Sequence, residues 1–214
     1  MLSTSPLITV EKLAFERDDC RVFKPANFSV AAGDIVQLEG ANGAGKTTLM
    51  RLMTSALQPT SGKVLYLGRP VQDCRYEYLD NILYIGHQSG VKMILSAEEN
   101  LRWMSPASTS AAEIALALDA VGLRGYTDVP CYSLSAGQHR RVALARLSTS
   151  KAAIWYLDEP FISIDKQGVL NLQHQLEAHL QRGGVVILST HQNLPIDGLR
   201  TYVVEPHSDI GLPL

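Results

Sequence analysis

The sequence predicts an α/β fold with a largely parallel sheet, and three observations support this class. Short apolar stretches alternate with stretches of helical period along most of the 214 residues, which is the pattern of strands joined by crossover helices. Residues 154–157 and 185–188 are continuously apolar, as expected for strands that are covered on both faces. Between about residues 96 and 150 the strand signals stop and only helical periods remain.

The remaining elements follow from the same periodicities. The middle block contains three predicted helices, at residues 96–104, 111–121 and 135–148. Further strands are predicted at residues 35–38, 64–67 and 82–85, and a further helix at residues 46–57. We therefore expect a single domain over residues 1–214, in which residues 96–150 form a helical subdomain inserted between two halves of the sheet. The segment after Glu205 has no clear pattern.

Composition and charge exclude several classes of function. With 46% hydrophobic residues the chain can bury a large core, which excludes general disorder. A formal net charge of -2 provides no basic field, so we expect no nucleic-acid partner. The N-terminus has no positive residue ahead of its apolar run, which argues against a secretory signal, and the longest apolar runs are too short to cross a bilayer. If the chain serves a transporter, another chain must supply the membrane path.

The three cysteines, Cys20, Cys74 and Cys131, are far apart in the sequence and form no CxxC pair. An odd and dispersed set of this kind is typical of free thiols in a reducing compartment. We therefore expect neither a disulfide framework nor a thiolate metal site.

The strongest local motif is a glycine-rich segment that matches the phosphate-loop pattern GxxxxGK[ST]. It consists of Gly40, Ala41, Asn42, Gly43, Ala44, Gly45, Lys46 and Thr47, and Thr48 follows it. Its position between a predicted strand and a predicted helix lets backbone N–H groups and the helix N-terminus face phosphate oxygens. Lys46 would then reach the β- and γ-phosphates of a nucleotide, and the Thr47 hydroxyl would bind Mg²⁺. The alternative is a glycine-rich turn with an incidental lysine.

A second motif is the pair of carboxylates, Asp158 and Glu159, at the end of the apolar run at residues 154–157. The carboxyl end of a parallel strand lies on the same sheet edge as the phosphate loop. Asp158 is therefore a candidate for the Mg²⁺ shell, and Glu159 is a candidate general base that polarises an attacking water. A charged exit from a buried strand is the alternative interpretation.

A third motif is Leu-Ser-Ala-Gly-Gln at residues 134–138, immediately before a basic helix. Ser135 and Gln138 have the spacing of a capping box, so the helix begins with exposed N–H groups and a serine hydroxyl at its tip. Such a tip is a second anion site, although in isolation it would be an ordinary helix cap.

This third motif resembles the LSGGQ signature of ABC ATPases, with Ala136 in place of the first glycine. Gln88 before this motif, and Asp165 and His191 after it, have the order and spacing of the family's Q-loop, D-loop and switch histidine. The resemblance implies a P-loop NTPase of ABC type, with antiparallel β elements beside the parallel sheet, that hydrolyses ATP with Mg²⁺. It implies further that Gln88 contacts the Mg²⁺ and the catalytic centre, and that His191 acts beside Glu159.

The resemblance also implies that the site is shared between two copies of the chain. Ser135 and Gly137 would bind the nucleotide held by the phosphate loop of a second copy, and Asp165 is a further candidate for nucleotide binding. Many ABC domains stack an aromatic residue on adenine near position 17, where this chain has Arg17, with Phe15 and Phe23 nearby. Stacking by arginine is physically possible, and the three candidates stay open.

Flanking residues resemble one subfamily, the haem-exporter ATPases (CcmA) of bacterial cytochrome c maturation. The matching segments are residues 16–18, 85–90, 134–146, 155–161 and 190–192. This resemblance implies a peripheral protein on the cytoplasmic face of the inner membrane, with integral membrane partners similar to CcmB, CcmC and CcmD. Its ATP hydrolysis would power the release of haem-loaded chaperone, without direct contact between haem and this subunit.

Two other functions are compatible with the ABC motifs. The chain could serve another ABC transporter, or it could be a soluble ABC ATPase without a transport role, although it lacks the tandem domains and basic surfaces usual there.

A membrane partner would contact residues 88–99. Within this segment, Val91, Met93 and Ile94 either form an apolar groove for the partner or pack inside the helical block.

Overall fold

The computed structural model describes residues 5–207. Most of the segment after Glu205, which has no clear pattern, lies outside the described residues. Its strands are β1 (Ile8–Ala14), β2 (Glu16–Arg17), β3 (Cys20–Arg21), β4 (Ala26–Val30), β5 (Ile35–Glu39), β6 (Ser61–Tyr66), β7 (Arg69–Pro70), β8 (Ile82–Ile85), β9 (Ile154–Asp158), β10 (Val185–Ser189) and β11 (Leu199–Val203). Its α-helices are α1 (Lys46–Met53), α2 (Arg75–Asp80), α3 (Ala97–Met104), α4 (Ala111–Ala120), α5 (Ala136–Thr149) and α6 (Lys166–Gln181). Short 3₁₀ turns lie at Val71–Cys74 and Cys131–Ser133.

A five-stranded parallel sheet in the order β11-β5-β10-β9-β8 forms the centre of the protein. Every residue of β9 and β10 is buried, which explains their continuous apolar sequences. Successive side chains of these strands alternate between two cores. Tyr156 and Ile187 pack in the core that contains α1, whereas Trp155 and Leu188 pack in the core that contains α5 and α6.

An antiparallel sheet in the order β4-β1-β6-β7 covers the α1 side of the parallel sheet. Its strand β6 corresponds to the strand predicted at residues 64–67. The predicted fold class, a parallel core with antiparallel elements and helices, is therefore confirmed.

The three helices predicted in the middle block are confirmed within one residue at each end. Each begins with a capping box, from Ser96, Ser110 and Ser135 respectively. Helix α5 packs on two sides: Val142 lies in the core shared with α3 and α4, while Leu144 lies in the core against the parallel sheet. Because α5 contributes to both cores, it connects the helical block to the parallel sheet.

Three helices differ from the expectation, and one of them is the short α2, which was not predicted. Helix α1 ends at Met53 rather than at residue 57, because Ser55 adopts a left-handed conformation with φ 57°. Helix α6 was not predicted. Its apolar stripe is narrow, with Leu172, Leu176 and His179 as its buried residues, so its period is weak.

In the part of the chain that the structure describes, none of the helices combines the length and apolarity needed to cross a bilayer. All three cysteines are free, with Cys20 exposed and Cys74 and Cys131 buried.

His179 is a buried titratable residue on α6, far from the phosphate loop in sequence. Its ring stacks on Trp155 with the ring centroids 3.7 Å apart and an interplanar angle of 8°. One ring nitrogen, Nε2, lies 3.2 Å from the Ala153 carbonyl oxygen. Burial lowers the pKa of His179 below its ordinary value of 6.5, and the hydrogen bond to Ala153 opposes this shift.

We expect this histidine to make folding stability depend on pH. As pH falls below the ordinary value, the unfolded chain binds a proton that the folded chain does not bind, so stability is lost with decreasing pH. Thermal unfolding between about pH 7.5 and about pH 5.5 should show this loss for the native chain. The loss should be smaller in His179→Phe, and it should persist in His174→Gln, which removes an exposed histidine from the same helix. An unchanged pH dependence in His179→Phe would contradict the assignment.

Candidate functional site

An open cavity of about 560 Å³ lies at the carboxyl ends of the parallel strands. It is lined by the phosphate loop and the start of α1, by the hairpin β2–β3, and by side chains that follow β8, β9 and β10. Ligands bind at this edge in open α/β sheets. The cavity therefore brings together motifs that are distant in the sequence.

The phosphate loop connects β5 to α1 without a side-chain cap on the helix. Gly45 is the N-cap, with φ 100°, a conformation that favours glycine. A β-carbon at Gly45 would lie 2.7 Å from the buried Phe23 ring. The first N–H groups of α1 consequently remain available to an anion in the cavity.

Lys46 lines the cavity, and its side chain contacts the first residues of the phosphate loop. Its Nζ donates hydrogen bonds to the carbonyl oxygens of Gly40, at 2.7 Å, and Ala41, at 3.2 Å. Within residues 5–207, no carboxylate forms a salt bridge with it. Its positive charge therefore faces the cavity without a carboxylate partner, as an anion site requires.

Asp158 is buried, and both of its carboxylate oxygens accept hydrogen bonds. The Thr47 hydroxyl donates to Oδ2 and the Ser189 hydroxyl donates to Oδ1, each at 2.7 Å. Thr47 and Asp158 thus place two oxygen ligands side by side at the cavity. This donor set fits Mg²⁺, which takes one or two protein oxygens together with phosphate and water oxygens.

Glu159 follows Asp158 in a left-handed conformation with φ 52°. Its backbone N–H donates to the carbonyl oxygen of Ser189, at 3.1 Å, and to the Ser189 hydroxyl, at 3.0 Å. Its carboxylate oxygen Oε1 lies 3.4 Å from Nε2 of His191. The carboxylate and the imidazole therefore form a pair at the rim of the cavity, where a general base can meet water.

Ser135 and Gly137 do not line this cavity. Ser135 is exposed at the tip of α5, where its hydroxyl accepts a hydrogen bond from the Gln138 N–H at 3.3 Å. Gln138 in turn accepts one from the Ser135 N–H at 2.8 Å. Gly137 packs tightly, because a β-carbon there would lie 2.7 Å from the Ser163 carbonyl oxygen. The predicted signature thus lies at a helix start where Ser135 is exposed, and neither Ser135 nor Gly137 lines the cavity.

Gln88 and Asp165 are also outside the cavity. Gln88 is exposed, and its neighbour His87, which was not predicted, lines the cavity instead. Asp165 is the N-cap of α6: its Oδ1 accepts a hydrogen bond from the Gly168 N–H at 2.8 Å, and its Oδ2 lies 2.7 Å from the Arg141 guanidinium. The Gly168 hydrogen bond and Arg141 lower the pKa of Asp165. In this conformation Asp165 stabilises a helix start.

The three candidates for adenine stacking have different environments. Phe23 is fully buried beneath the phosphate loop, and Phe15 is half-buried against the adjoining core. Arg17 is exposed on the β2–β3 hairpin and lines the cavity, as does Val22. Of the three, Arg17 is therefore the side chain that a base in this cavity can reach.

Ser189 and Arg140 were not predicted from the sequence. Ser189 is the last residue of β10, and it forms hydrogen bonds with both Asp158 and Glu159. Arg140 is buried on α5 and donates hydrogen bonds to three backbone carbonyl groups, those of Gly86, Asp158 and Glu159. The one available signal was its place in the basic run of residues 139–141, which does not by itself indicate a buried arginine.

Among residues 5–207, no group of three or more His, Cys, Asp and Glu side chains has an arrangement that could hold a metal ion.

The fold and the cavity define an ATPase of the ABC class. The cavity combines a phosphate loop, the Thr47–Asp158 oxygen pair and the adjacent Glu159.

Comparison with known proteins agrees with this class and refines it. The family described as ABC transporter matches residues 23–162. A solved structure of the ATP-binding subunit of an ABC transporter superposes with a TM-score of 0.82 at 23% identity, covering 93% of this chain and 86% of that chain.

Two curated relatives carry the same name, cytochrome c biogenesis ATP-binding export protein CcmA. The protein from Pseudomonas fluorescens is 50% identical over 193 residues, 89% of this chain and 92% of its own length. The protein from Salmonella typhi is 47% identical over 189 residues, 88% of this chain and 91% of its own length. The chain therefore belongs to the ABC transporter family and, within it, to the CcmA family of ATP-binding export proteins.

Proposed function

We propose that this chain is the ATP-hydrolysing subunit of a membrane export complex that serves cytochrome c biogenesis. The observation that carries the proposal is the cavity in which Lys46, the Thr47–Asp158 pair and Glu159 converge, in a chain 50% identical to a cytochrome c biogenesis export protein. The family resemblance extends this proposal to haem. Hydrolysis would power the release of haem-loaded chaperone, and we assign no direct contact with haem to this chain.

ATP binding follows from the charges and donors on the cavity wall. Lys46 and the free N–H groups of α1 would bind the β- and γ-phosphates. Thr47 and Asp158 would hold Mg²⁺, which neutralises charge on the phosphates when bound. By family resemblance, Gln88 would approach this centre in the nucleotide-bound state. Arg17 would stack on the adenine.

The hydrolytic step requires a water molecule to be oriented and deprotonated. Glu159 would accept a proton from that water as its oxygen attacks the γ-phosphorus, while the bond from that phosphorus to the bridging oxygen of ADP breaks. His191, 3.4 Å from the Glu159 carboxylate, would contact the γ-phosphate and help orient the water. ADP and phosphate are then the products.

We propose that each site is completed by a second copy of the chain. At the start of α5, Ser135 is exposed and Gly137 is half-buried, and neither residue lines the cavity of its own chain. A helix tip with free N–H groups suits the γ-phosphate of ATP bound by the other copy. Asp165 would support this arrangement by fixing the segment that connects β9 to α6.

We assign the membrane partner to an exposed apolar surface, defined here as the 93–103 surface, which contains Met93, Ile94 and Trp103. These side chains are 50%, 83% and 72% exposed, respectively. Val91, by contrast, packs against the core of the helical block. The two alternatives for this segment therefore apply to different residues, and the exposed ones suit an apolar helix of a membrane subunit. The subunit would be similar to CcmB, CcmC or CcmD and would hold this chain at the cytoplasmic face of the inner membrane.

A charge on the 93–103 surface is expected to release the chain from the membrane. The double variant Met93→Asp/Ile94→Asp should lose at least about 90% of the membrane subunits that co-purify with the native chain, because a buried unpaired charge opposes association. Its affinity for ATP should not change. Leu116→Asp, which places the same charge at an exposed leucine of α4, is the control and should keep the partners.

The measurement is affinity purification from membranes, followed by identification of the co-purifying subunits. Recovery of a haem-chaperone complex supports the proposal in full. A different set of transporter subunits would assign the chain to another ABC transporter. A chain that is recovered without membrane subunits would instead indicate a soluble ABC ATPase.

A further inference from the structure

We infer that Arg140 is a positioning residue that holds the backbone of the catalytic glutamate and connects it to the signature helix α5. The inference rests on the proposed role of Glu159 as general base. The hydrogen bonds that the structure of residues 5–207 gives for this side chain all go to backbone carbonyl oxygens, so it acts through backbone groups.

Arg140 lies in the second turn of α5 and is 5% exposed. One guanidinium nitrogen donates to the Gly86 carbonyl oxygen at 2.6 Å. The other donates to the carbonyl oxygens of Asp158, at 2.9 Å, and Glu159, at 2.8 Å. A single side chain thus joins α5 to the ends of β8 and β9.

These hydrogen bonds matter because Glu159 has an unfavourable backbone conformation. A non-glycine residue with φ 52° persists only where its surroundings impose that conformation. Two anchors do so here. Ser189 accepts the hydrogen bond from the Glu159 N–H, and Arg140 donates to the Glu159 carbonyl group. The direction of the carboxylate toward the cavity depends on both.

The hydrogen-bond acceptors of Arg140 indicate a positioning role. Burial lowers its pKa, while the nearby negative charges of Asp158 and Glu159 oppose this shift. Its three acceptors are backbone carbonyl groups rather than carboxylates. The planar guanidinium therefore acts as a fork that fixes several carbonyl groups at once, which a flexible ammonium cannot do equally well.

The position of Arg140 on α5 connects the catalytic base to the proposed interface with a second copy. Helix α5 begins directly after Ser135, which we propose contacts the γ-phosphate of a second copy. A shift of the helix tip on nucleotide binding would move Arg140 and, with it, the carbonyl groups of Glu159 and Gly86. Gly86 precedes His87, which lines the cavity. Binding at one site of the pair would therefore adjust the catalytic base at the other.

Arg146 provides a matched control on the same helix. It is also largely buried, burial also lowers its pKa, and its Nε, like that of Arg140, has no hydrogen-bond partner in the described structure. It donates to the Tyr84 carbonyl oxygen of β8 at 3.3 Å. No hydrogen bond connects it to Asp158 or Glu159 in residues 5–207.

The test compares single-turnover ATP hydrolysis by the native complex with that of complexes containing Arg140→Gln or Arg146→Gln. We expect Arg140→Gln to reduce the hydrolysis rate by roughly 10- to 100-fold, the scale of a small misplacement of a catalytic group. Its dissociation constant for ATP should stay within about twofold of the native value, because the phosphate loop is unchanged. Arg146→Gln should hydrolyse ATP within about threefold of the native rate, although both variants lose a buried charge.

Arg140→Lys covers the case in which the glutamine variant does not fold. It retains the positive charge but loses the fork, and we expect intermediate hydrolysis with normal ATP affinity. Native-like hydrolysis in Arg140→Gln, or in Arg140→Lys if only that variant folds, would overturn the inference. Equal losses in the Arg140 and Arg146 variants would do the same. If Glu159→Gln itself hydrolyses ATP normally, the proposed base is wrong, and the fault lies with the proposed function.

Discussion

Glu159→Gln is expected to slow ATP hydrolysis by roughly two orders of magnitude or more, the scale of losing a general base. Glutamine keeps the shape and hydrogen-bonding reach of the side chain but cannot accept the proton of the attacking water. ATP should still bind, because Lys46 and the Thr47–Asp158 pair are unaffected. The measurement is single-turnover hydrolysis together with a direct ATP-binding assay. Glu11→Gln, which removes a surface carboxylate paired with Lys63, is the control and should hydrolyse ATP normally.

The same substitution should trap two copies of the chain around ATP. Unhydrolysed ATP would keep its γ-phosphate between the phosphate loop of one copy and Ser135 of the other. Size-exclusion chromatography should therefore show an ATP-dependent dimer of Glu159→Gln that ADP does not support. A variant that cleaves ATP at a near-native rate, or that stays monomeric with ATP, would remove Glu159 from this role.

His191→Ala should also reduce hydrolysis, although His191 is not the residue that accepts the proton. The imidazole lies 3.4 Å from the Glu159 carboxylate, and we assign it to the γ-phosphate and the water rather than to proton acceptance. Both residues act on the same water, so the double variant with Glu159→Gln should lose less than the product of the two single effects. Cells that carry Glu159→Gln should fail to mature c-type cytochromes.

Lys46→Ala and Ser135→Arg are each expected to abolish hydrolysis in a dimer made of one variant alone. Without Lys46, neither phosphate loop can bind the γ-phosphate productively. With arginine in place of Ser135, a long side chain would obstruct the helix tip that completes each site. The single variants should therefore retain only background activity.

A mixture of the two variants is expected to recover hydrolysis. A mixed dimer has one site built from the native phosphate loop of one copy and the native signature of the other. Equal mixing makes half of the dimers mixed, each with one of two sites intact, so about a quarter of the sites recover. Mixing the double variant Lys46→Ala/Ser135→Arg with Lys46→Ala leaves no intact site and should give no recovery. Full-rate hydrolysis by an isolated monomer would refute the composite site.

The sequence alone determined the features whose physics is local. A phosphate loop binds through consecutive backbone N–H groups and the adjacent helix N-terminus, so one contiguous segment is sufficient to predict it. The capping boxes at Ser96, Ser110 and Ser135 join residues three positions apart, and the helices that they start were predicted within one residue. The buried strands β9 and β10 were evident from their uninterrupted apolar sequences.

The tertiary structure alone decided which distant groups meet. Strand β10 lies between β5 and β9, and this order places Ser189 against both Asp158 and Glu159. Packing of α5 on the sheet brings Arg140 to the same strand end. These contacts depend on strand order and helix packing, which no local pattern encodes.

The fold also decided the exposure of residues that the sequence left equivalent. Phe23 is buried under the phosphate loop while Arg17 lines the cavity, and His87 rather than Gln88 points to the cavity wall. In a turn, neighbouring side chains diverge, so a shift of one residue changes which of them reaches the ligand. Residue type and spacing therefore predicted the chemistry of the site, whereas the packing of the sheet, the hairpin and α5 determined which side chains could carry it out.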